Sequence, residues 1–336
     1  MCQDVTFFRC GFACAALCVS LASLSRGDEP AAQDLADEIL AAARGELPKL
    51  PVPTFGGLQH WNDTQIIGGW RIQQNVLTGH YRLLDNDERR QAWGVQSVCQ
   101  RRLDTACENG DAKPARGEVV IVLHGLGSGR WAMQSLVKHL RESGFTVVDV
   151  GYSTTSGTVA DHAETLAKIV SSFDEAEKLH FVAHSLGNLV TRRYFADLAA
   201  DKRDRRTRDR IGRMVMLAPP NHGSERAKFW AESQLFVNTL GPTVKEMGPH
   251  WKELEATLAV PPGEFGIIAG GLGNQSGFNL TIDGDDDGTL SVDETRLDGA
   301  ADFAVVSCTH SLLVYHDDVL QYTTRFLRHG RFQGEE

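Results

Sequence analysis

From residue 118 onward the chain alternates short, β-branched apolar runs with segments of helical period, and few folds accommodate that alternation. The apolar runs are 118–124 (EVVIVLH), 145–152 (FTVVDVGY), 179–184 (LHFVAH), 213–218 (RMVMLA), 265–269 and 303–307. Such runs have little polar alternation, which predicts strands buried on both faces, as in a parallel sheet. Between them Met133, Leu136, Val137 and Leu140 recur at one helical face, as do Val159, Ala163, Leu166 and Val170, and then Leu186, Leu189, Val190 and Leu198. The expected class is therefore α/β: a mostly parallel central sheet with helices on both faces and right-handed crossovers.

The rest of the 336 residues is less regular. An apolar stretch at 11–24 follows Arg9; it is too short to span a bilayer but suits the core of a signal peptide. Residues 1–27 are expected to be such a leader, giving a periplasmic or extracellular protein; an uncleaved membrane anchor is the alternative. Residues 28–117 are expected to pack on the core. They read as a helix over 28–44, a proline-rich linker at 47–53, two short strands at 70–76 and 80–84, and a polar, irregular stretch at 86–116. In an oxidising compartment Cys99 and Cys107 are expected to bridge. The run 201–210 (DKRDRRTRDR) reads as a solvated loop. The formal charge of −10 gives no general attraction for phosphate backbones, which argues against nucleic acid as a partner.

The chemistry concentrates at strand exits. AHSLG, Ala183 to Gly187, stands between an apolar run and a helical segment. There a serine on a sharp strand-to-helix turn is lifted clear of the sheet, and small residues on either side let the backbone pack closely. An ordinary helix N-cap serine is the plainer alternative. His124-Gly125-Leu126-Gly127 closes the first run. It lacks the third glycine of a dinucleotide loop and the Gly-Lys of a P-loop, and reads instead as a glycine-rich exit exposing backbone N–H groups. A serine nucleophile needs a base, and the base an orienting carboxylate, in the chain order Ser, acid, His. His310, His316 and His329 follow the late acidic cluster; His310 is preferred because it directly follows the last strand. Asp287 is preferred among the carboxylates of DGDDDG, 283–288, with Asp293 and Asp298 as fallbacks.

VLHGLG (122–127), FVAHSLGN (181–188), MLAPPNHGS (216–224), DGTLSVDETRLDGA (287–300) and CTHSLL (308–313) together resemble the α/β-hydrolase superfamily, in particular its bacterial secreted lipase and esterase branch. The resemblance covers about residues 118–326. It implies Ser185 as nucleophile, Asp287 as acid, His310 as base, and the N–H groups of Leu126 and Leu186 as the oxyanion hole. The substrate it implies is a small-molecule or lipid ester, with contact to a lipid surface, and it implies no cofactor and no metal. An acyltransferase or thioesterase would use the same acyl-enzyme.

Two stretches depart from that pattern. Residues 221–262 form an insertion in which Phe229, Trp230, Phe236, Val237 and Leu240 predict one helix, and Trp251, Leu254 and Leu258 a second after Pro249. It reads as a lid with Trp230 and Phe236 binding an acyl chain, although core packing accounts for the same spacing. Asp283, Asp285, Asp287, Gly288, Leu290 and Glu294 also fit a calcium-binding loop, which would make the chain a calcium-stabilised, non-catalytic surface protein. Two physical points oppose it. Residues 270–282 hold four glycines and no helical period to enter such a loop. A calcium ligand would also give up the lone pairs Asp287 needs for His310.

Overall fold

The structure is a computed structural model and describes residues 59–201 and 204–334. The leader, helix and linker expected over 1–53 lie outside the described residues. The chain enters through a four-stranded antiparallel meander: β1 (Trp61–Ile67), β2 (Trp70–Asn75), β3 (Tyr81–Leu84) and β4 (Arg90–Gly94), paired in that order. Helix α1 (Gln96–Glu108) packs Val98, Cys99, Leu103 and Ala106 inward, and a small core of Trp70, Ile72, Leu83, Cys99, Leu103 and Ala106 forms between helix and meander. The stretch 86–116 is thus not irregular. Its strand and helix were hidden because only four α1 positions are buried, two of them Cys and Ala, and Val95 offers no side-chain cap.

The expected bridge between Cys99 and Cys107 is also overturned. Both lie on α1, eight residues apart. A helix rises about 1.5 Å per residue, so their backbones are roughly 12 Å apart, well beyond disulfide reach.

Six parallel strands follow: β5 (Gly117–Leu123), β6 (Thr146–Val150), β7 (Ala176–His184), β8 (Ile211–Leu217), β9 (Phe265–Gly271) and β10 (Asp302–Ser307). Their order across the sheet is β10-β9-β8-β7-β5-β6, each pair parallel. All six apolar runs are strands. Alternate residues of β5 serve opposite faces: Val119, Ile121 and Leu123 join one apolar cluster, Val120 and Val122 the other. The first face is covered by α3 (Val159–Val170) and α4 (Leu186–Ala200), the second by α2 (Gln134–Glu142) and α10 (Asp317–His329). Helix α3 starts on a capping box, Thr158 and Asp161 each accepting from the other's backbone N–H.

Part of the expected solvated run is ordered. Residues 205–210 form helix α5 (Arg205–Arg210), capped by Asp204, and Arg210 is buried, donating to the Phe173 and Ala176 carbonyls. The inserted stretch holds four short helices instead of two: α6 (Glu225–Ala231), α7 (Gln234–Leu240), α8 (Thr243–Met247) and α9 (Trp251–Glu255). Ser224 caps α6, and a new helix starts after Ser233. Trp251 and Leu254 of α9 join the core, whereas no residue of α7 is buried.

Strand β6 is an outer strand of the sheet, and polar side chains occupy its open side. Arg141 donates to the Val147 carbonyl at 3.1 Å and Arg71 to the Asp149 carbonyl at 3.2 Å. Arg71 also lies between the buried Asp63 (2.7 Å) and Asp149 (3.2 Å) carboxylates. Asp63 in turn accepts from Gly151 N–H at 2.6 Å and donates its own N–H to the Gly151 carbonyl at 2.8 Å. Burial alone would raise the Asp149 carboxyl, but Arg71 and Arg130 beside it outweigh that and hold it below its usual value.

Candidate active site

Strand β7 ends at His184, and the backbone then turns through Ser185 at φ +52°, ψ −121° into α4. That conformation is costly for a residue with a Cβ and persists only where its surroundings enforce it. Here they do. Ser185 N–H donates to the Leu217 carbonyl at the end of β8 (2.9 Å), and the fully buried Asn188 donates to both the Ser185 (3.0 Å) and Leu217 (3.2 Å) carbonyls. A Cβ on Gly187 would stand 2.9 Å from the His124 carbonyl oxygen, so the turn packs directly on the β5 exit. Because Leu186 is the first helical residue of α4, its N–H has no intrahelical acceptor.

His310 lies three residues beyond β10, and Asp287 lies in the long connection after β9. The structure brings both to Ser185. His310 Nδ1 is 2.6 Å from Asp287 Oδ2, and His310 Nε2 is 3.0 Å from Ser185 Oγ. With Nδ1–H donating to the carboxylate, the Nε2 lone pair faces the serine hydroxyl. The other Asp287 oxygen accepts from the N–H groups of Thr289 (2.9 Å) and Leu290 (2.8 Å), which fixes the carboxylate plane. Asp287 is 1% exposed, so its carboxylate is shielded from water.

The base is held by its backbone as well. His310 N–H donates to the Asp287 carbonyl at 2.9 Å, and His184 Nε2–H donates to the His310 carbonyl at 3.1 Å. Burial above all, then the neighbouring His310 ring, pushes the His184 pKa down to about 3, so this histidine stays a neutral donor. Its position directly before the serine was visible in the sequence; its partner, a carbonyl 126 residues away, was not. His316 caps α10, its Nδ1 accepting from Asp318 N–H at 3.2 Å, and His329 sits in the last turn of that helix.

Three of the other acidic side chains of 283–294 are turned toward backbone amides, while Asp293 accepts from Arg296 Nε at 3.3 Å. Asp285 accepts from Leu272 and Gly273, Asp286 from Asn279 and Gly288, and Glu294 from Ser291 and Glu225. They act as turn formers and do not converge on a common point; among the described residues no group of three or more His, Cys, Asp or Glu could hold a metal ion.

The Gly125 backbone passes so close to the turn that a Cβ there would stand 3.1 Å from the Ser185 Cβ. Leu126 follows Gly125 in this loop, and Leu240 of α7 reaches within 3.8 Å of where a Gly127 Cβ would be. Phe236 is exposed on α7, and Trp230 is half-buried on α6 with the Arg226 guanidinium 5.6 Å from its ring centre. A groove of about 1130 Å³ elsewhere, along β6, is lined by ion-paired Arg71, Glu88, Arg130 and Asp149 and by none of the groups around Ser185.

A six-stranded parallel sheet in this order, with helices on both faces, has the architecture of the α/β-hydrolase fold, and Ser185, Asp287 and His310 follow β7, β9 and β10 in the chain. A family model described as a domain of unknown function (DUF7379) matches residues 87–248. No curated protein matches the chain. Among solved structures it is similar to a Bacillus licheniformis lipase in mature form, at 18% identity over 60% of this chain and 88% of that one, with a TM-score of 0.47. It is also similar to phospholipase PlaB from Legionella pneumophila (15% identity, 53% and 44% covered, TM-score 0.43). A third is a membrane phospholipase A described as a bacterial virulence factor (12% identity, 94% and 97% covered, TM-score 0.43).

Proposed function

We propose that the protein is a serine hydrolase that cleaves carboxylic esters through an acyl-enzyme. The observation that carries this reading is the hydrogen-bonded chain from Ser185 Oγ through His310 to Asp287, at 3.0 and 2.6 Å. Ser185 Oγ attacks the ester carbonyl while His310 Nε2 takes its proton, and Asp287 stabilises the imidazolium that results. The oxyanion forms beside the N–H groups of Leu126 and Leu186. His310 then passes the proton to the departing alcohol, leaving the acyl group on Ser185. Water, activated in turn by His310, releases the acid.

Exposed apolar side chains on the inserted helices support an ester with an apolar acyl group, a lipid ester included. Phe229, Leu235 and Phe236 are exposed on α6 and α7, and Leu240 of α7 lies against the Gly127 loop. Reaction with a fluorophosphonate, followed by intact-mass measurement, tests the nucleophile. One adduct is expected, absent in Ser185→Ala; full labelling of that variant would move the nucleophile elsewhere. Product analysis with an added alcohol separates hydrolysis from transfer. A transesterified product that dominates over free acid would make the chain an acyltransferase.

A further inference from the structure

The loop that offers Leu126 N–H is tied down by residues from a different part of the chain. Ser128 N–H closes a turn on the Gly125 carbonyl at 3.3 Å, with Gly127 at φ +65°. Leu126 is the second residue of that turn, the position whose N–H the turn itself leaves unused. A single turn after a strand end is soft unless something else holds it. Here Gly127 N–H donates to Thr154 Oγ1 at 2.9 Å, and the Thr154 hydroxyl donates to Gln59 Oε1 at 3.0 Å. The same Gln59 oxygen accepts from Thr155 N–H at 3.3 Å, and Gln59 Nε2 donates to the Ser128 carbonyl. The Gln59 backbone carbonyl accepts from Ser153 Oγ at 2.5 Å.

Thr154 has no exposed surface, and its hydroxyl is used as both donor and acceptor. Gln59 uses both ends of its carboxamide. Two consecutive loop residues, Gly127 and Ser128, are thus held by one continuous chain running from the loop after β6 to the segment before β1.

We infer that Gln59 and Thr154 are positioning residues that fix the Leu126 N–H for the developing oxyanion. This rests on the hydrolytic reading of the Ser185 site. An oxyanion donor works only if it is aimed in advance at where charge develops, so a loose donor weakens binding of the transition state more than that of the ester. Displacing a donor by about 1 Å can cost on the order of 10²-fold in rate.

The test measures kcat, KM and affinity for an alkyl boronic acid, using p-nitrophenyl butyrate as substrate. Thr154→Val keeps the shape and removes both hydrogen bonds; Gln59→Met removes both ends of the carboxamide and keeps the protein assayable should Thr154→Val not fold. Each variant is expected to lose about 10- to 100-fold in kcat and a similar factor in boronic acid affinity, with KM within about twofold. Thr154→Ser should restore both. The double variant should be no worse than Thr154→Val alone, because both break one chain. Wild-type kcat and boronic acid affinity in Thr154→Val and Gln59→Met would overturn the inference, as would a lower melting temperature with kcat unchanged. Fluorophosphonate labelling of the same variants keeps the two levels apart: wild-type protein that is not labelled at Ser185 refutes the hydrolase reading itself, whereas labelled variants with unchanged kinetics refute only the clamp.

Discussion

The parallel sheet and the meander that precedes it are held by opposite means. In β5 every residue from Val119 to Leu123 is at most 1% exposed, and each of the sheet's faces has its own large apolar cluster. The meander has a small apolar core and, apart from Ile66, which joins the sheet's first apolar cluster, meets the sheet through buried charge: Asp63, Arg71 and Asp149, with Gln73 also donating to Asp63 at 2.7 Å. Apolar burial depends on area and tolerates small shifts, so it suits a frame. Buried ion pairs fix geometry but lose heavily if one member goes, so they suit a joint whose place must not vary. The ends of β7 and β10 that present Ser185 and His310 belong to the frame, Asp287 is carried on the connection after β9, and the polar joint lies to one side at β6.

That contrast predicts a separation of effects. At the active edge His310→Ala should lower kcat by between about 10⁴- and 10⁶-fold, and Asp287→Asn by about 10⁴-fold. Both should keep the melting temperature near that of the wild type, because neither side chain carries the apolar core. The control is His316→Ala, which removes only a helix cap and should remain active. Near-normal turnover in His310→Ala together with loss in His316→Ala would reassign the base.

The joint should behave in the reverse way. Arg71→Met leaves Asp63 and Asp149 buried with one cation fewer, and should cost about 3–5 kcal/mol of stability. Its kcat, measured well below the melting transition, should change only severalfold. A loss under about 1 kcal/mol in urea unfolding would mean that Arg130, 3.2 Å from Asp149, suffices to balance the charges.

The same contrast explains what could be read from the sequence. Five of the six central strands were visible because burial on both faces writes a largely apolar run; β10 carries such a run although it is an outer strand with Val305 42% exposed. Strand β1 was missed because its buried positions are Asp63 and Ile66, and an aspartate reads as surface until its arginine is found. Ser185 and His310 stood out because each follows a strand end in a fixed chain order, whereas Asp287, sixteen residues beyond β9, had to be chosen among the carboxylates of 283–288. Asn188, His184, Gln59 and Thr154 hold backbone groups through hydrogen bonds to distant segments, and no spacing rule marks such residues.

Buried histidines add a smaller effect, expressed through pH. Burial pushes His124 and His162 to about 4 and His184 to about 3, against an ordinary value of 6.5. The folded state therefore keeps them neutral where the unfolded chain takes up protons. Their contribution is complete above about pH 6.5 and is lost as pH falls, at about 1.4 kcal/mol per pH unit for each, until the folded values are reached. Glu246 and Glu294, raised by burial, act in the opposite sense. Melting followed from pH 7 to 5 should show falling stability, and His162→Gln should make the slope shallower. An unchanged slope in that variant would mean His162 does not titrate on unfolding as its burial requires.

The smallest expected effect concerns α7, which belongs to neither the frame nor the joint. No α7 residue is buried, so its apolar side chains stabilise the fold little, yet Leu240 places the helix beside the Gly127 loop. Phe236, 40% exposed, is the cleaner probe there. Trp230 is half-buried under Arg226, so truncating it would mix packing with binding. If α7 lines the path of the acyl chain, Phe236→Ala should raise KM for a dodecanoate ester and leave an acetate ester unchanged. The difference should not exceed about 0.8 kcal/mol per methylene no longer covered. Melting temperature should stay constant, because nothing on the helix is removed from a core. Equal effects on both esters would take α7 off the acyl path, and a lowered melting temperature would make it part of the frame after all.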